Sequence, residues 1–282
     1  MRWPPYQHIF FDCDSTLTAV EGIDVLAQSS GKGWRVEVLT RAAMEGQLDL
    51  ADVYGKRLSA VRPTRAQINA VRQVYKRNLV EDAASVIAAL QELGHSVYIV
   101  SGGLAEPVVE FGLYLGVPRA NIRAVDVHYN ELSGRWWQND QVATSESRYL
   151  VYEDGALTES DGKARIIREM VGDQPGRSLM VGDGISDLIA GKSADLFVGY
   201  TGVAHRERVA LEAPCVIQSP SLAAVIAVAA GPAMLPTLGK RGYATLAVKA
   251  TQLIDAGAIT FNDERLREKF QEAFQAVHSG TH

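Results

Sequence analysis

His8-Ile9-Phe10-Phe11-Asp12-Cys13-Asp14-Ser15-Thr16-Leu17 is the stretch on which the fold turns: a short, mostly apolar run cut off by two carboxylates two residues apart. Such a run predicts a strand buried on both faces, as in a parallel sheet. Two further segments repeat the design. Ser96-Val97-Tyr98-Ile99-Val100 stops at Ser101-Gly102-Gly103, and Arg177-Ser178-Leu179-Met180-Val181 stops at Gly182-Asp183-Gly184. Helical patterns alternate with them. Before the second strand Ala83, Val86, Ile87, Leu90 and Leu93 fall at helical spacing, and Gly94 suits the left-handed residue that ends a helix. Strands alternating with helices predict a doubly wound α/β fold around a parallel sheet. Ligands in such sheets sit beyond the carboxyl ends of the strands, where all three runs end in polar turns carrying Asp, Ser or Gly.

Working outward, Thr18 to about Asn78 interrupts the alternation. Its apolar positions Ile23, Leu26, Val36, Leu39, Met44, Leu48, Val53, Leu58, Ile68 and Val71 are compatible with several amphipathic helices. Residues 18–78 are therefore read as a helical cap inserted after the first strand, and residues 1–17 and 79–231 as the α/β core. A second insertion, Val125 to Glu153, contains Tyr129-Asn130-Glu131-Leu132-Ser133-Gly134-Arg135-Trp136-Trp137, which looks like a hairpin. Residues 232–282 read as a helical C-terminal extension. Its apolar spacing falls in Ala244–Val248 and Leu266–Val277, and its role is open between a dimerisation arm (hence a homodimer), a lid and a packing brace.

Composition narrows the function classes. The chain has 282 residues, enough for one good core and a smaller second unit, and it is 47% hydrophobic and 22% charged, as ordinary globular proteins are. A net charge of −5 with interspersed signs carries no basic patch for nucleic acid. No run approaches the roughly 20 apolar residues of a membrane span. Met1-Arg2-Trp3-Pro4-Pro5 lacks the apolar stretch of a signal peptide. The two cysteines, Cys13 and Cys215, make no disulfide framework, so a cytoplasmic protein is expected.

Chemistry concentrates in the strand-end turns. Of Asp12 and Asp14, one carboxylate can attack a phosphoryl group while the other handles protons. Facing a phosphate dianion, the attacking group needs its charge offset by a divalent cation and a lysine. Asp183 and Asp187 can supply the cation site, and magnesium, a hard ion, is satisfied by a few oxygens. The Asp12 side chain, a main-chain carbonyl from Asp14 and the Asp183 side chain would be its protein share. Ser101-Gly102-Gly103 offers main-chain N–H groups and a hydroxyl to an anion. Lys163, at the start of a predicted helix, can neutralise phosphoryl oxygens. Each element alone is an ordinary turn or surface charge; four of them, in order at strand ends, point to phosphoryl transfer.

Together the pattern Asp12-x-Asp14-x-Thr16, Ser101-Gly102-Gly103, Lys163 and Asp183-Gly-x-x-Asp187 resembles the haloacid dehalogenase superfamily, whose core is Rossmann-like. The resemblance covers about residues 8 to 218. It implies Asp12 as nucleophile and Asp14 as general acid and then base. It implies that Thr16 orients the loop, that Ser101, Gly102 and Lys163 hold phosphate, that Asp183 binds Mg2+, and that Asp187 supports Lys163 or the metal shell. The cap adds Glu21, then Ala43-Met44-Glu45-Gly46, then Lys56-Arg57, which is similar to the phosphoserine phosphatase family. By that likeness Glu21 faces a substrate ammonium, Arg57 its carboxylate, and Met44 its short carbon chain. A zwitterion needs one anion and one cation held apart, and arginine matches a carboxylate bidentately. Ser186 stands where many relatives carry Asn or Thr; its hydroxyl keeps one phosphate-side contact. The substrate implied is a small phosphomonoester, O-phospho-L-serine foremost. The alternatives are another such ester, as of choline or ethanolamine, or transfer to an acceptor alcohol.

Overall fold

The computed structural model describes residues 3–31, 33–44, 50–130 and 147–278. The chain opens with strand β1 (His8–Phe11), all four residues buried. Four helices follow: α1 (Gly22–Ser29), α2 (Gly33–Met44), α3 (Leu50–Val61) and α4 (Arg65–Arg77). Thr64 caps α4: it accepts from the Gln67 N–H while Gln67 reaches back to the Thr64 N–H. Helix α5 (Ala83–Glu92) leads into β2 (Ser96–Leu104), α6 (Ala105–Tyr114) and β3 (Ile122–Val125). Strands β4 (Val127–Tyr129) and β5 (Tyr149–Tyr152) pair antiparallel. The pairing joins Val127–Tyr129 to Tyr149–Tyr152, whereas the hairpin expected within Tyr129–Trp137 falls on residues 131–137, outside the described residues.

Next come α7 (Gly162–Val171), β6 (Ser178–Gly182), α8 (Ile185–Ala190), β7 (Leu196–Tyr200), α9 (Glu207–Glu212), β8 (Cys215–Ile217) and α10 (Ala224–Ala229). The tail adds α11 (Leu235–Leu238), α12 (Ala244–Asp255), β9 (Ile259–Phe261) and α13 (Glu264–His278).

Among the described residues seven strands form one sheet in the order β3-β2-β1-β6-β7-β8-β9. All neighbours are parallel except β8 and β9, which run antiparallel, so the core is the expected parallel sheet and the tail, read as helical, adds one antiparallel strand at its edge. Strand β2 also runs on through Ser101-Gly102-Gly103, with its register against β3 shifting between Val100 and Leu104. Order reverses at β1: the chain builds outward to β3, then returns to lay β6 on the other side. That reversal opens the crevice where a doubly wound sheet takes ligands. Phe10, Phe11, Leu179, Met180 and Val181 are fully buried around it, each stabilising the fold by about 1.5–3 kcal/mol.

The segment between β1 and α5 leaves and rejoins the core at one place. The Ala19 N–H donates to Asn78 O (2.8 Å) and the Val80 N–H to Leu17 O (3.0 Å). Arg65 pairs with Glu106 at 3.0 Å and Arg72 with Glu110, lashing α4 to α6. The β4–β5 hairpin holds the turn before α4: the Tyr149 N–H donates to Pro63 O (2.8 Å) and the Arg65 N–H to Ser147 O (2.9 Å). Near the start of the chain, Trp3 donates its indole N–H to Val228 O (2.8 Å), and Phe270 of the tail meets its ring edge-on at 5.2 Å. The tail therefore packs into the core from which the sheet grows, as a brace would.

Candidate active site

The loop after β1 closes tightly because three N–H groups, from Thr16, Leu17 and Thr18, donate to one carbonyl, that of Cys13 (3.3, 2.8 and 3.1 Å). The turn needs Ser15 at φ +55°, a left-handed conformation that non-glycine residues adopt at a cost and that gathers at functional sites. It leaves Asp12 and Asp14 side by side and buried. Asp12 Oδ1 accepts from the Cys13 N–H at 2.7 Å and meets Lys163 Nζ at 2.7 Å. Asp14 Oδ2 accepts from the Gly22 N–H at 2.9 Å, while Asp14 Oδ1 is buried without a partner among the described residues. Cys13 is a buried filler between them.

From β6, one strand over, come Asp183 and Asp187. Thr16 Oγ1 donates to Asp183 Oδ1 (3.2 Å), tying the two loops together. Asp187 folds back over Gly182 so closely that a Cβ there would stand 2.3 Å from the Asp187 carboxyl carbon. Its two oxygens accept from Lys163 Nζ (2.6 Å) and the Gly184 N–H (3.0 Å). Lys163 thus lies between Asp12 and Asp187. Burial works against its charge, yet those two carboxylates raise its pKa above the ordinary lysine value. Asp12 is pushed up by burial and by Asp187, with Lys163 opposing.

From the end of β2, Ser101 Oγ accepts from the Gly103 N–H (2.9 Å). Ser101, Gly102, Lys163 and Ser186 all border the cavity, about 300 Å³, that opens above Asp12 and Asp14. Glu21 and Arg57 line it from the cap side. Ser15 Oγ donates to Glu21 Oε1 (2.7 Å). Arg57 is buried, donates from Nη1 to Thr40 Oγ1 (3.2 Å), and has a buried Nε without a partner among the described residues. Met44 ends α2, and its side chain lies outside the described residues, as do Glu45 and Gly46.

Asp12, Asp183 and Asp187 each offer a carboxylate oxygen, all within 4.8 Å of one another. An all-oxygen, hard donor set with a further orphaned oxygen on Asp14 suits a hard divalent ion. Asp187 joins this group, whereas the sequence reading drew the third oxygen from the Asp14 main chain.

Sequence reasoning missed Arg206. It follows β7 and reaches across the sheet ends, with Nε 3.0 Å from Asp183 Oδ2 and Nη2 3.5 Å from Glu21 Oε1. The signal was electrostatic bookkeeping: Asp12, Asp14, Glu21, Asp183 and Asp187 converge here, and Lys163 and Arg57 leave an excess of negative charge. That excess shows in the protonation equilibria. Burial first, then neighbouring charge, pushes Asp14 up to about 6, Glu21 to about 7 and Asp183 to about 7, although Arg206 pulls Glu21 and Asp183 down.

These strand ends bring a buried carboxylate pair, a buried lysine and an oxygen-donor cluster into one crevice, and comparison agrees. The sequence model of the haloacid dehalogenase-like hydrolases matches residues 6–195, and the chain belongs to that family. Within it the protein is a phosphatase of the phosphoserine phosphatase-like kind. It is 31% identical over 202 residues to the phosphoserine phosphatase of Mus musculus, covering 71% of this chain and 84% of that one. It is 30% identical over 219 residues to the chloroplastic phosphoserine phosphatase of Arabidopsis thaliana, covering 76% and 70%. Among solved structures, a phosphoserine phosphohydrolase-like protein from Francisella tularensis superposes with a TM-score of 0.62 at 26% identity, over 76% of this chain and 95% of that one. A phospho-aspartyl intermediate analogue of phosphoserine phosphatase shares the fold at a TM-score of 0.66, 23% identity and coverages of 79% and 98%.

Proposed function

We propose that the protein hydrolyses O-phospho-L-serine to L-serine and inorganic phosphate. The observation that carries this reading is Arg57: a buried guanidinium with an idle Nε, bordering the cavity over Asp12 with Glu21. A buried donor without an acceptor is costly, and a substrate carboxylate supplies the acceptor. Glu21 receives the ammonium, so the pair reads both charges of an amino acid while the phosphate points down to the strand ends.

In the first half-reaction Asp12 attacks phosphorus and the P–O bond to the serine oxygen breaks. That oxygen takes its proton from Asp14, whose raised pKa of about 6 keeps a protonated fraction near neutrality. In the second, Asp14 removes a proton from water, which attacks the phosphorus on Asp12 and releases phosphate. Ser101 and the Gly102 main chain hold phosphoryl oxygens with Lys163, and Ser186 borders the same site. Asp187 steadies Lys163, and Thr16 steadies Asp183. Mg2+ would be held by Asp12, Asp183 and the Asp14 carbonyl, with Asp187 alongside, and would offset phosphate charge. Among the described residues no helix is long and apolar enough to cross a membrane. A cytoplasmic location fits the free thiols of Cys13 and Cys215.

The test is steady-state phosphate release from O-phospho-L-serine beside a panel of phosphomonoesters, with magnesium and with EDTA. Phosphoserine should lead the panel by at least tenfold in kcat/KM, and EDTA should stop all turnover. A flat panel, or a clear lead for another ester, overturns the substrate reading.

A further inference from the structure

Tyr54 belongs to α3, yet its hydroxyl belongs functionally to the core. It donates to the main-chain oxygen of Gly102 at 2.8 Å. The ring lies 5.6 Å from the Arg57 guanidinium, one helical turn away, in a cation–π contact. A third side meets Tyr152 of β5 edge-on, at 5.1 Å between centroids. Tyr54 is 5% exposed and borders the cavity.

The contact with Gly102 has a mechanical effect. The peptide between Gly102 and Gly103 is held at both ends, its oxygen by Tyr54 and its N–H by Ser101 Oγ at 2.9 Å. Two consecutive glycines have no side chains to limit their rotation. Hydrogen bonds must therefore set which way the neighbouring Gly102 N–H and the Ser101 hydroxyl face. One of those bonds comes from the cap.

We infer that Tyr54 is a positioning residue that couples the seating of the cap to the assembly of the phosphate-binding turn. Its hydroxyl aligns the Ser101-Gly102-Gly103 turn, and its ring holds Arg57 over the substrate. With α3 lifted, both are lost at once, so the phosphate site is complete only when the residue that reads the substrate's other end is in place. The hydroxyl half acts on any phosphomonoester; only the ring half rests on the phosphoserine reading.

Two variants separate the halves. Tyr54→Phe keeps the ring and removes the hydroxyl. It should lower kcat about three- to tenfold on both phosphoserine and para-nitrophenyl phosphate, and weaken inhibition by inorganic phosphate about as much, with any rise in KM equal on the two substrates. Tyr54→Leu removes both, and should in addition raise KM for phosphoserine about fivefold while sparing that for para-nitrophenyl phosphate. A residue that merely fills space would shift the melting temperature without this split. Tyr54→Phe with unaltered kcat on both substrates and unaltered phosphate inhibition overturns the coupling. Should the parent enzyme ignore phosphoserine yet cleave para-nitrophenyl phosphate, the substrate reading fails, and the phosphate-inhibition and kcat arms still decide the role of the hydroxyl.

Discussion

At the scale of single residues, the proposed reading gives Asp12 the chemistry and the Glu21–Arg57 pair the choice of substrate. Asp12 is assigned the covalent step, and losing a nucleophile costs several orders of magnitude in rate. Asp12→Asn, similar in size, should fold and turn over no substrate, and beryllium fluoride should attach to Asp12 in the parent alone. Near-parental turnover by the folded variant would contradict the role. Arg57 and Glu21 touch no reacting atom. Removing one charge-assisted partner from a buried pocket costs about 2–4 kcal/mol, roughly thirty- to a thousandfold in kcat/KM. Arg57→Ala and Glu21→Gln should show that loss on phosphoserine and little on para-nitrophenyl phosphate; equal losses on both would indicate a disturbed cap instead. Asp12 was marked by a short motif at a strand end, and Glu21 and Arg57 only by the likeness of the cap to the phosphoserine phosphatase family. Arg206 was not. It meets Glu21 across 185 positions and Asp183 across 23, contacts that exist only once β1, β6 and β7 lie in order. Tyr54 was hidden for the same reason, since its partner Gly102 lies 48 positions away.

Among elements, β6 and α8 depend on one close approach. Gly182 ends the strand where Asp187 returns over it, and a methyl group there would meet the Asp187 carboxylate at 2.3–2.5 Å. Gly182→Ala should push Asp187 off Lys163 and the Gly184 N–H. The expected result is a loss of about 1–3 kcal/mol in stability, typical of overpacking, with at least a tenfold fall in kcat. Crystallography of the variant would show whether Asp187 has moved; an unmoved Asp187 at parental activity refutes the argument. Strands β1, β2 and β6 announced themselves as apolar runs because both of their faces are covered. Strand β7 is as buried but carries Gly199 where α9 packs close, and β8 and β9 have three residues each. Runs that short, or broken by glycine, leave no periodicity to read. The pairing of β4 with β5 was not legible, because its partners lie about twenty positions apart, beyond the short hairpin the sequence suggested.

Over the whole molecule, the same carboxylate crowding that serves the site should mark its stability. Asp14, Glu21 and Asp183 have folded-state values of about 6 to 7, above their ordinary range. A raised value means that the folded state binds protons more readily than the unfolded one. Its stabilising effect is full below the unfolded pKa near 4 and is lost as pH rises through 6 to 7. Chelator-treated protein should therefore melt at a higher temperature at pH 6 than at pH 8, and magnesium should flatten the difference by favouring the ionised forms. A melting temperature that rises with pH in the chelated protein would contradict this. The tail is tested at this scale too. Strand β9 pairs with β8, and Phe270 packs on Trp3, so truncation after Gly231 uncovers a sheet edge and the Trp3 cluster. The truncated chain should aggregate or lose its cooperative melting transition, whereas a dispensable arm would leave melting unchanged.

The neighbouring exit and return of the cap has a consequence for how such a protein can change over generations. Because Ala19 and Asn78 are already hydrogen-bonded to each other, and Leu17 to Val80, the chain between them leaves and re-enters the core at one place. Lengthening, shortening or replacing that segment leaves β1 and its carboxylates in register with β6. Mutation can therefore remodel what the molecule admits while the phosphoryl chemistry beneath is inherited intact, and recombination at these two positions could graft a foreign lid onto an old catalyst.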